Sequence, residues 1–319
     1  MARIDLEPPL PALRVGPMPA RVGNVRIGTA SWTERTLLES GEFYPPSVKS
    51  PADRLRYYAR HFAVVEVDAT FYALPAERMA TAWVERVPDG FVFGVKAFAA
   101  MTQHPFVPAR LPPDLRAALG PDLGRRPRVY GREVPDDIGR EIWRRFASAI
   151  APLHEAGLLG YVLLQFPKWF PRSRTSLAYL DLCRERLPAY PLAIEFRDPS
   201  WLAGERAERT FAFLRERGFA YTSVDEPQGT AASVPPVAET TSDELAVVRF
   251  HGRNVAAWDR PGVGTVDKFG YRYSLDELRE WAPRVHALAR GARSVHVLMN
   301  NCRGSYAVQN AKELATLLA

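Results

Sequence analysis

Short apolar runs recur along this chain, and most are followed by a stretch in which apolar residues return every three or four positions. The runs are Val25–Ser31, Val64–Thr70, Phe91–Phe98, Tyr161–Pro167, Pro191–Arg197, Ala220–Glu226, Ala246–Gly252 and Ser294–Asn301. Each is ~6–8 residues long and almost continuously apolar, as strands of a parallel sheet are when helices cover them. The 3.6-residue period predicts helices over Ser50–Phe62, Pro75–Val87, Asp136–Ala156, Thr175–Leu187, Ala203–Arg217, Ser274–Arg290 and Tyr306–Leu318. Their ends carry helix punctuation: Ser50 before Pro51 at one start, Ser274 three residues before Glu277 at another, and Gly157, Gly218 and Gly291 as stops.

Strand followed by helix, repeated about eight times, predicts an α/β chain folded as a (β/α)8 TIM-type barrel with a parallel eight-stranded sheet. The alternation breaks once. Pro227–Asp243 has no helical period, so a loop is expected in place of the helix after strand six. A doubly wound open sheet is the competing arrangement, and Gly28-Thr-Ala-Ser-Trp32 offers only one of the glycines a dinucleotide-binding turn needs. The expected organisation is a Pro-rich N-terminal extension over 1–24, with no apolar core of a signal peptide, and a single barrel domain over 25–319. An insertion at about 105–135 follows strand three. It holds Pro105, Pro108, Pro112, Pro113, Pro121, Pro127 and Pro135, and more arginine than acid. Loops of this length leaving the C-terminal end of a barrel strand are expected to act as lids or ligand-contacting arms.

Composition narrows the class. A hydrophobic fraction of 47 % and a charged fraction of 24 % suit a globular chain. No apolar run approaches the ~20 residues of a membrane span, so no membrane partner is expected. Cys183 and Cys302 make neither a disulfide framework nor a zinc pattern, which suggests a cytoplasmic location. The net charge is +6, and only five of the 42 basic residues are lysine. Arginine suits phosphate and carboxylate recognition, so an anionic small-molecule ligand is expected, with nucleic acid as the second partner this charge allows. Compositional habit and solubility are the plain alternative.

Polar residues gather where the strands end. Strand two carries Glu66 and Asp68, with Tyr72 beyond; strand three carries Lys96, with His104 beyond; strand four ends in Gln165. Strand five carries Glu195 and Arg197, strand six ends in Asp225 and Glu226, strand seven leads through Arg249 and His251 to Arg253, and strand eight ends in Asn300, Asn301 and Arg303. Residues two apart on a strand share a face. Any one opposite pair, such as Glu66 with Arg249, can be a structural ion pair; so many buried charges at one end of a barrel point to a site. Glu195 and Asp68 are the candidates for acid/base work, with Lys96 and His251 supplying a proton or stabilising charge. Arg197, Arg253 and Arg303 are expected to hold the anion, and Gln165, Asn300 and Asn301 to orient it. The arginines, small residues and amides after strands seven and eight suit a phosphate. Trp32, Tyr72, Trp169, Trp201 and Trp258 lie just past strand ends, where indoles and phenols can stack on a sugar or a base. No cofactor motif is present. A divalent metal held by Glu66, Asp68, His104, Glu195, Asp225 and His251 is conceivable, though no His-x-His or His-Glu-x-x-His spacing exists.

These segments resemble the family known as domain of unknown function 72 (DUF72), the YecE-like proteins. The resemblance rests on Ile27-Gly-Thr-Ala-Ser-Trp32, Phe43-Tyr-Pro45, Val65-Glu-Val-Asp-Ala-Thr-Phe-Tyr72, Phe93-Gly-Val-Lys-Ala97, Leu164-Gln-Phe-Pro167 and Ile194-Glu-Phe-Arg-Asp-Pro-Ser-Trp201. It continues through Asp225-Glu-Pro227, Arg249-Phe-His-Gly-Arg253, Tyr271-Arg-Tyr273, Asn300-Asn301 and Asn310-Ala311, and so spans about residues 25–318. It implies the same barrel and no particular reaction. Some barrels of this family look similar to the endonuclease IV and xylose isomerase group, which brings in DNA or sugar binding as analogy between folds. Three positions depart from the family's usual pattern: Asp68 where Asn is common, Gln103 before His104 where Thr is common, and Cys302 where His is common. The last removes a possible metal ligand. The expected function is therefore an enzyme using acid/base chemistry on a phosphorylated or otherwise anionic, nucleotide- or sugar-like molecule. A metal-assisted nuclease and a non-catalytic binding protein are the alternatives.

Overall fold

The computed structural model describes residues 20–230, 233–260 and 262–319. Its centre is a ring of eight strands: β1 (Val25–Ala30), β2 (Val64–Val67), β3 (Val92–Lys96), β4 (Leu159–Gln165), β5 (Leu192–Glu195), β6 (Phe219–Asp225), β7 (Leu245–Phe250) and β8 (Ser294–Met299). Every neighbour pairs in parallel, and β8 returns to β1 with Val297 beside Ile27, so the sheet has no free edge. The helices α1 (Pro51–Ala59), α2 (Glu77–Val84), α3 (Asp136–Glu155), α4 (Arg174–Arg186), α5 (Arg206–Glu216), α6 (Leu275–Gly291) and α7 (Tyr306–Leu318) form the outer layer. This is a TIM-type (β/α)8 barrel.

Local chemistry sets the helix starts. The Ser50 hydroxyl accepts from the Asp53 amide with Pro51 in the first turn, and Ser274 and Glu277 satisfy each other's backbone amides reciprocally. The short helix Arg35–Ser40, between β1 and α1, has too few turns to show a period in the sequence. Between β6 and β7 the described residues contain no helix, as expected. Thr241 Oγ1 there accepts from the Tyr221 amide and donates to the Phe219 carbonyl, both at 2.7 Å, tying that loop to β6.

Inside the ring, Val64, Val92, Leu163, Ala193, Ala220, Val247 and Leu298 fill the lower layers with Tyr161. Gly94 on β3 is what admits the Tyr161 ring. A Cβ at that position would stand 2.3 Å from Cζ of the phenol. Tyr161 therefore crosses the barrel and donates to Glu66 Oε2 at 3.1 Å.

The insertion after β3 is folded onto the barrel. Pro105–Phe106 and Val129–Tyr130 pair antiparallel, short helices occupy Pro113–Ala118 and Gly120–Gly124, and Phe106, Leu111, Leu115, Leu119 and Val129 are buried in the main core. Of the Pro-rich extension, residues 1–19 lie outside the described residues; Arg21–Val22 folds back against Val25–Arg26. No helix among the described residues is long and apolar enough to cross a membrane.

Candidate active site

The interior parity that puts Val64, Tyr161, Ala193 and Val247 in the barrel also points Glu66, Gln165, Glu195 and Arg249 inward one or more steps nearer the C-terminal end. Arg249 is the hub. Its Nη2 donates to Glu66 Oε1 at 2.6 Å, and its Nη1 to Glu195 Oε2 at 2.5 Å and, at 3.4 Å, to Gln165. Glu195 Oε1 accepts from Arg197 Nε at 2.6 Å, and Arg197 Nη1 donates to Glu226 Oε2 at 2.7 Å. The other Glu226 oxygen accepts from the Val234 amide at 2.8 Å. His251 Nε2 lies 3.2 Å from Glu195 Oε1, and Asn300 Nδ2 lies 3.0 Å from Nδ1. Arg197 Nη2, which can only donate, lies 3.1 Å from the same Nε2, so that nitrogen is contacted by a donor and an acceptor at once.

These groups form one connected floor. Glu66, Glu195, Arg249 and His251 are essentially without solvent contact. Burial pushes the Glu195 carboxyl up, but the Arg249 and Arg197 guanidiniums outweigh it and hold the group well below the usual carboxylate range. Burial, reinforced by Arg197, drives His251 down to about 3, so its imidazole is neutral. Burial also lowers Arg249, but Glu195 and Glu66 more than reverse it, and the guanidinium stays protonated. Glu195 is thus a fixed anion with its oxygens occupied, poorly suited to exchanging a proton. That overturns its expected part in acid/base work. His251, neutral and sealed in the floor, is likewise a positioning group.

Two titratable groups above the floor are different. β2 and β3 run side by side with Val67 opposite Val95, so Asp68 and Lys96 follow on adjacent strand ends and face the same way. Thr70 Oγ1 donates to the Lys96 carbonyl at 2.6 Å and pins that end. Both side chains are half-buried, and among the described residues neither has an ion-pair partner. Lys96 Nζ stands 4.3 Å over the Phe71 ring. Burial pushes the Asp68 carboxyl up to about 6, with Lys96 opposing, and burial with the Arg249 charge brings the Lys96 ammonium down to about 8. A carboxyl and an amine are thus brought close to neutral pH from opposite sides. His104 joins them, brought down to about 3 by burial and the Lys96 charge, its Nδ1 3.0 Å from Thr102 Oγ1.

Aromatic walls rise around this pair. Tyr72 is 50 % exposed and Trp169 51 % exposed, and the folded insertion supplies Arg110 over Tyr72 and Tyr130 beside Trp169. Lys268, from the segment between β7 and α6, stands 4.5 Å over Trp258. Ser31 and Gln103, at φ of 101° and 63°, are non-glycine residues in the left-handed region, and both border the mouth. Strain of this kind gathers at functional sites.

Other expected residues face elsewhere. Asp225 has the outward parity of β6. Its carboxylate accepts from Tyr273 Oη and Trp281 Nε1, both at 2.6 Å, and from Arg253 Nη2 at 2.7 Å. Gly252, at φ 87°, turns the chain after β7, so Arg253 leaves the barrel face and joins Asp225 and Glu280. Asn301 points behind β8 and donates to the Tyr271 carbonyl and to Asn310. Arg303 is exposed beside the Val255–Lys268 segment, lining a surface cavity with Asn254, Arg260 and Asp267. The Gly304 amide is spent on Thr36 Oγ1 and the Ser305 hydroxyl on Glu42, so neither is free to hold a phosphate. Trp32 is buried edge-on against Trp83, Trp201 is stacked on Phe196, and Trp258 is buried, so of the five aromatics only Tyr72 and Trp169 are open to a ligand. Of the two acids expected at the end of strand six, only Glu226 points inward, in phase with Ala220.

The described residues hold no cluster of three or more His, Cys, Asp or Glu arranged to take a metal ion. Glu66, Glu195 and Glu226 are each occupied by a guanidinium. Burial raises the Cys302 thiol to about 12, which leaves it a packing residue rather than a nucleophile.

This constellation sits on a chain that matches, over residues 26–319, the sequence profile of the family described as protein of unknown function DUF72. The chain belongs to the DUF72 family. It is 32 % identical over 297 residues to UPF0759 protein YunF of Bacillus subtilis strain 168, covering 92 % of this chain and 94 % of that protein. Among solved structures it is similar to a DUF72 family protein of Thermotoga maritima MSB8, at 31 % identity and TM-score 0.71, covering 92 % of this chain and 98 % of that one. A DUF72 family protein of Enterococcus faecalis V583 matches at 26 % identity and TM-score 0.75, covering 92 % and 95 %. The DUF72 fold is thus the barrel described above.

Proposed function

We propose that this DUF72 barrel is an enzyme that uses Asp68 as general base and Lys96 as general acid on an anionic, nucleotide- or sugar-like small molecule bound at the C-terminal mouth. The observation that carries the reading is the contrast between the floor and the pair above it. Every floor carboxylate is matched to a guanidinium, whereas Asp68 and Lys96 are half-buried, unmatched and brought to about 6 and about 8. A structure built for stability alone gains nothing from that arrangement. Lys96 carries the anionic preference, with Arg110 and Lys268 at the rim; Tyr72, Trp169 and Tyr130 offer faces to a ring. Arg197, 11 % exposed, meets the ligand space from the floor, as do the partly exposed Gln165 and Asn300. Free Cys183 and Cys302 fit a cytoplasmic setting.

The reading is tested by thermal-shift screening of sugar phosphates, nucleotides and their neutral counterparts. It expects at least one anionic compound to stabilise the wild type and the K96M shift to be reduced at least tenfold in apparent affinity. Turnover of that compound should be lost in D68N with binding retained. Equal binding by wild type, D68N and K96M of every compound that binds at all would remove the site from consideration.

A further inference from the structure

We infer that Lys96 is a nucleophile that forms an imine with the carbonyl carbon of its ligand, so that the substrate class is an anionic aldehyde or ketone. This rests on the acid/base reading of the same site and deepens it. Lys96 stands at the C-terminal end of a barrel strand, its Nζ over the Phe71 ring and without an ion-pair partner among the described residues, with Asp68 on the adjacent strand end. An amine used only to hold an anion gains from being fully protonated. Half-buried with no ion-pair partner among the described residues and beside the Arg249 charge, this one is biased toward the free base against the pull of the Phe71 face on its cation, and its pKa of about 8 agrees. The step balances within the site. The Lys96 amine attacks the carbonyl carbon, and its two protons pass in turn through Asp68 to the carbonyl oxygen, the first making the carbinolamine hydroxyl and the second the departing water. Water then leaves, and the C=N bond replaces C=O with no oxidant or reductant required. The imine, protonated, is an electron sink for breaking a bond beside the former carbonyl, with Asp68 placed to take the proton released.

The chain's small lysine complement makes the test direct, because Lys49, Lys96, Lys168, Lys268 and Lys312 are its only lysines. The full-length protein is incubated at pH 7 with glycolaldehyde phosphate, pyruvate or pyridoxal 5′-phosphate and sodium cyanoborohydride, which reduces an imine to a stable secondary amine. Peptide mass mapping then reads each lysine separately. The expected result is labelling of Lys96 at least ~10-fold faster than of any other lysine, since lowering an amine from ~10.4 to 8 raises its free-base fraction at neutral pH by two orders of magnitude, less the nucleophilicity it loses. D68N should slow labelling at Lys96 and leave Lys168 unchanged. Labelling spread over the lysines according to their exposure overturns the inference, and that comparison needs only the wild-type chain. If ligands bind in the shift screen and depend on Lys96 while no trapping occurs, the covalent step falls and the acid/base reading stands. If neither is seen, both fall.

Discussion

At the scale of single residues, function and stability pull Asp68 and Lys96 in opposite directions from their neighbours. An aspartate whose folded pKa is raised to about 6 stabilises the fold only below its unfolded value near 4, and that contribution is lost as pH rises through 6. Above pH 6 the charged carboxylate is a net cost. A lysine lowered to about 8 contributes stability above its unfolded value near 10.5 and loses it as pH falls through 8. At pH 7 both groups therefore oppose folding, each on the order of 2 kcal/mol. D68N and K96M should unfold at higher urea concentration than the wild type at pH 7. The D68N gain should shrink toward pH 4 and the K96M gain toward pH 10. Arg249 behaves in the contrary way. R249M leaves Glu66 and Glu195 buried without their common partner and should cost roughly 3–5 kcal/mol. Stabilisation by both mouth variants alongside a large loss at Arg249 separates a working pair from its scaffold; destabilisation by D68N and K96M would show them to be structural.

At the scale of elements, strand parity decides which polar residues meet. Gly94 and Tyr161 show how tight that register is. A methyl group at Gly94 lands on the phenol ring, which is sealed and bonded to Glu66, so G94A should cost roughly 2–3 kcal/mol. Removing the ring makes room for that methyl group. In a G94A/Y161A cycle measured by urea unfolding, the double mutant should therefore be more stable than the two single losses added together. Strict additivity would mean the two residues do not compete for the same space. Parity is equally legible in the sequence: alternation on β2, β5 and β7 places Glu66 with Asp68, Glu195 with Arg197, and Arg249 with His251. It fails where a strand's two faces show no contrast or where the strand geometry ends. Asp225 and Glu226 are both expected inward and only Glu226 is, because β6 mixes apolar and hydroxyl residues on both faces and shows no contrast. Arg253 kept the spacing of two, but Gly252 bends the chain between it and His251. Asn301 and Arg303 lie past β8, where alternation has no meaning. Trp32 is expected to face a ligand, and only the fold reveals Trp83 beside it. That Asp68 and Lys96 stay unpaired while Glu195 is saturated is a matter of partners brought from other strands, which spacing along one strand cannot show.

At the scale of the whole molecule, acid stability follows from histidines at opposite ends of the barrel. His251 lies in the floor of the mouth. His296 lies at the other end, its Nε2 2.9 Å from Ser294 Oγ, close to Gly160 and the Arg26 charge. Burial drives each down to about 3, with Arg197 adding to the effect at His251 and Arg26 at His296. Groups lowered in this way stabilise the fold above their unfolded value near 6.5, and the contribution is lost as pH falls from there toward 3, because the unfolded chain binds protons the folded chain refuses. Each buried histidine then takes away up to about 1.4 kcal/mol per pH unit. Asp68 opposes this between pH 6 and 4 but is one group against two. Stability measured by urea unfolding should therefore fall as pH drops below about 6.5, before the carboxylates with lowered pKa values begin to titrate. The two ends can be separated by substitution. H296N keeps a polar group beside Ser294 and lies far from Asp68 and Lys96; it should flatten the slope between pH 6 and 4 by about 1.4 kcal/mol per pH unit and leave ligand binding at the mouth unchanged. An unchanged slope in H296N would mean that His296 takes up its proton in the folded barrel at an ordinary pH. A barrel floor already loaded with Arg249 and Arg197 can refuse a further positive charge at His251, and the same refusal at His296 then has to come from burial and Arg26 alone.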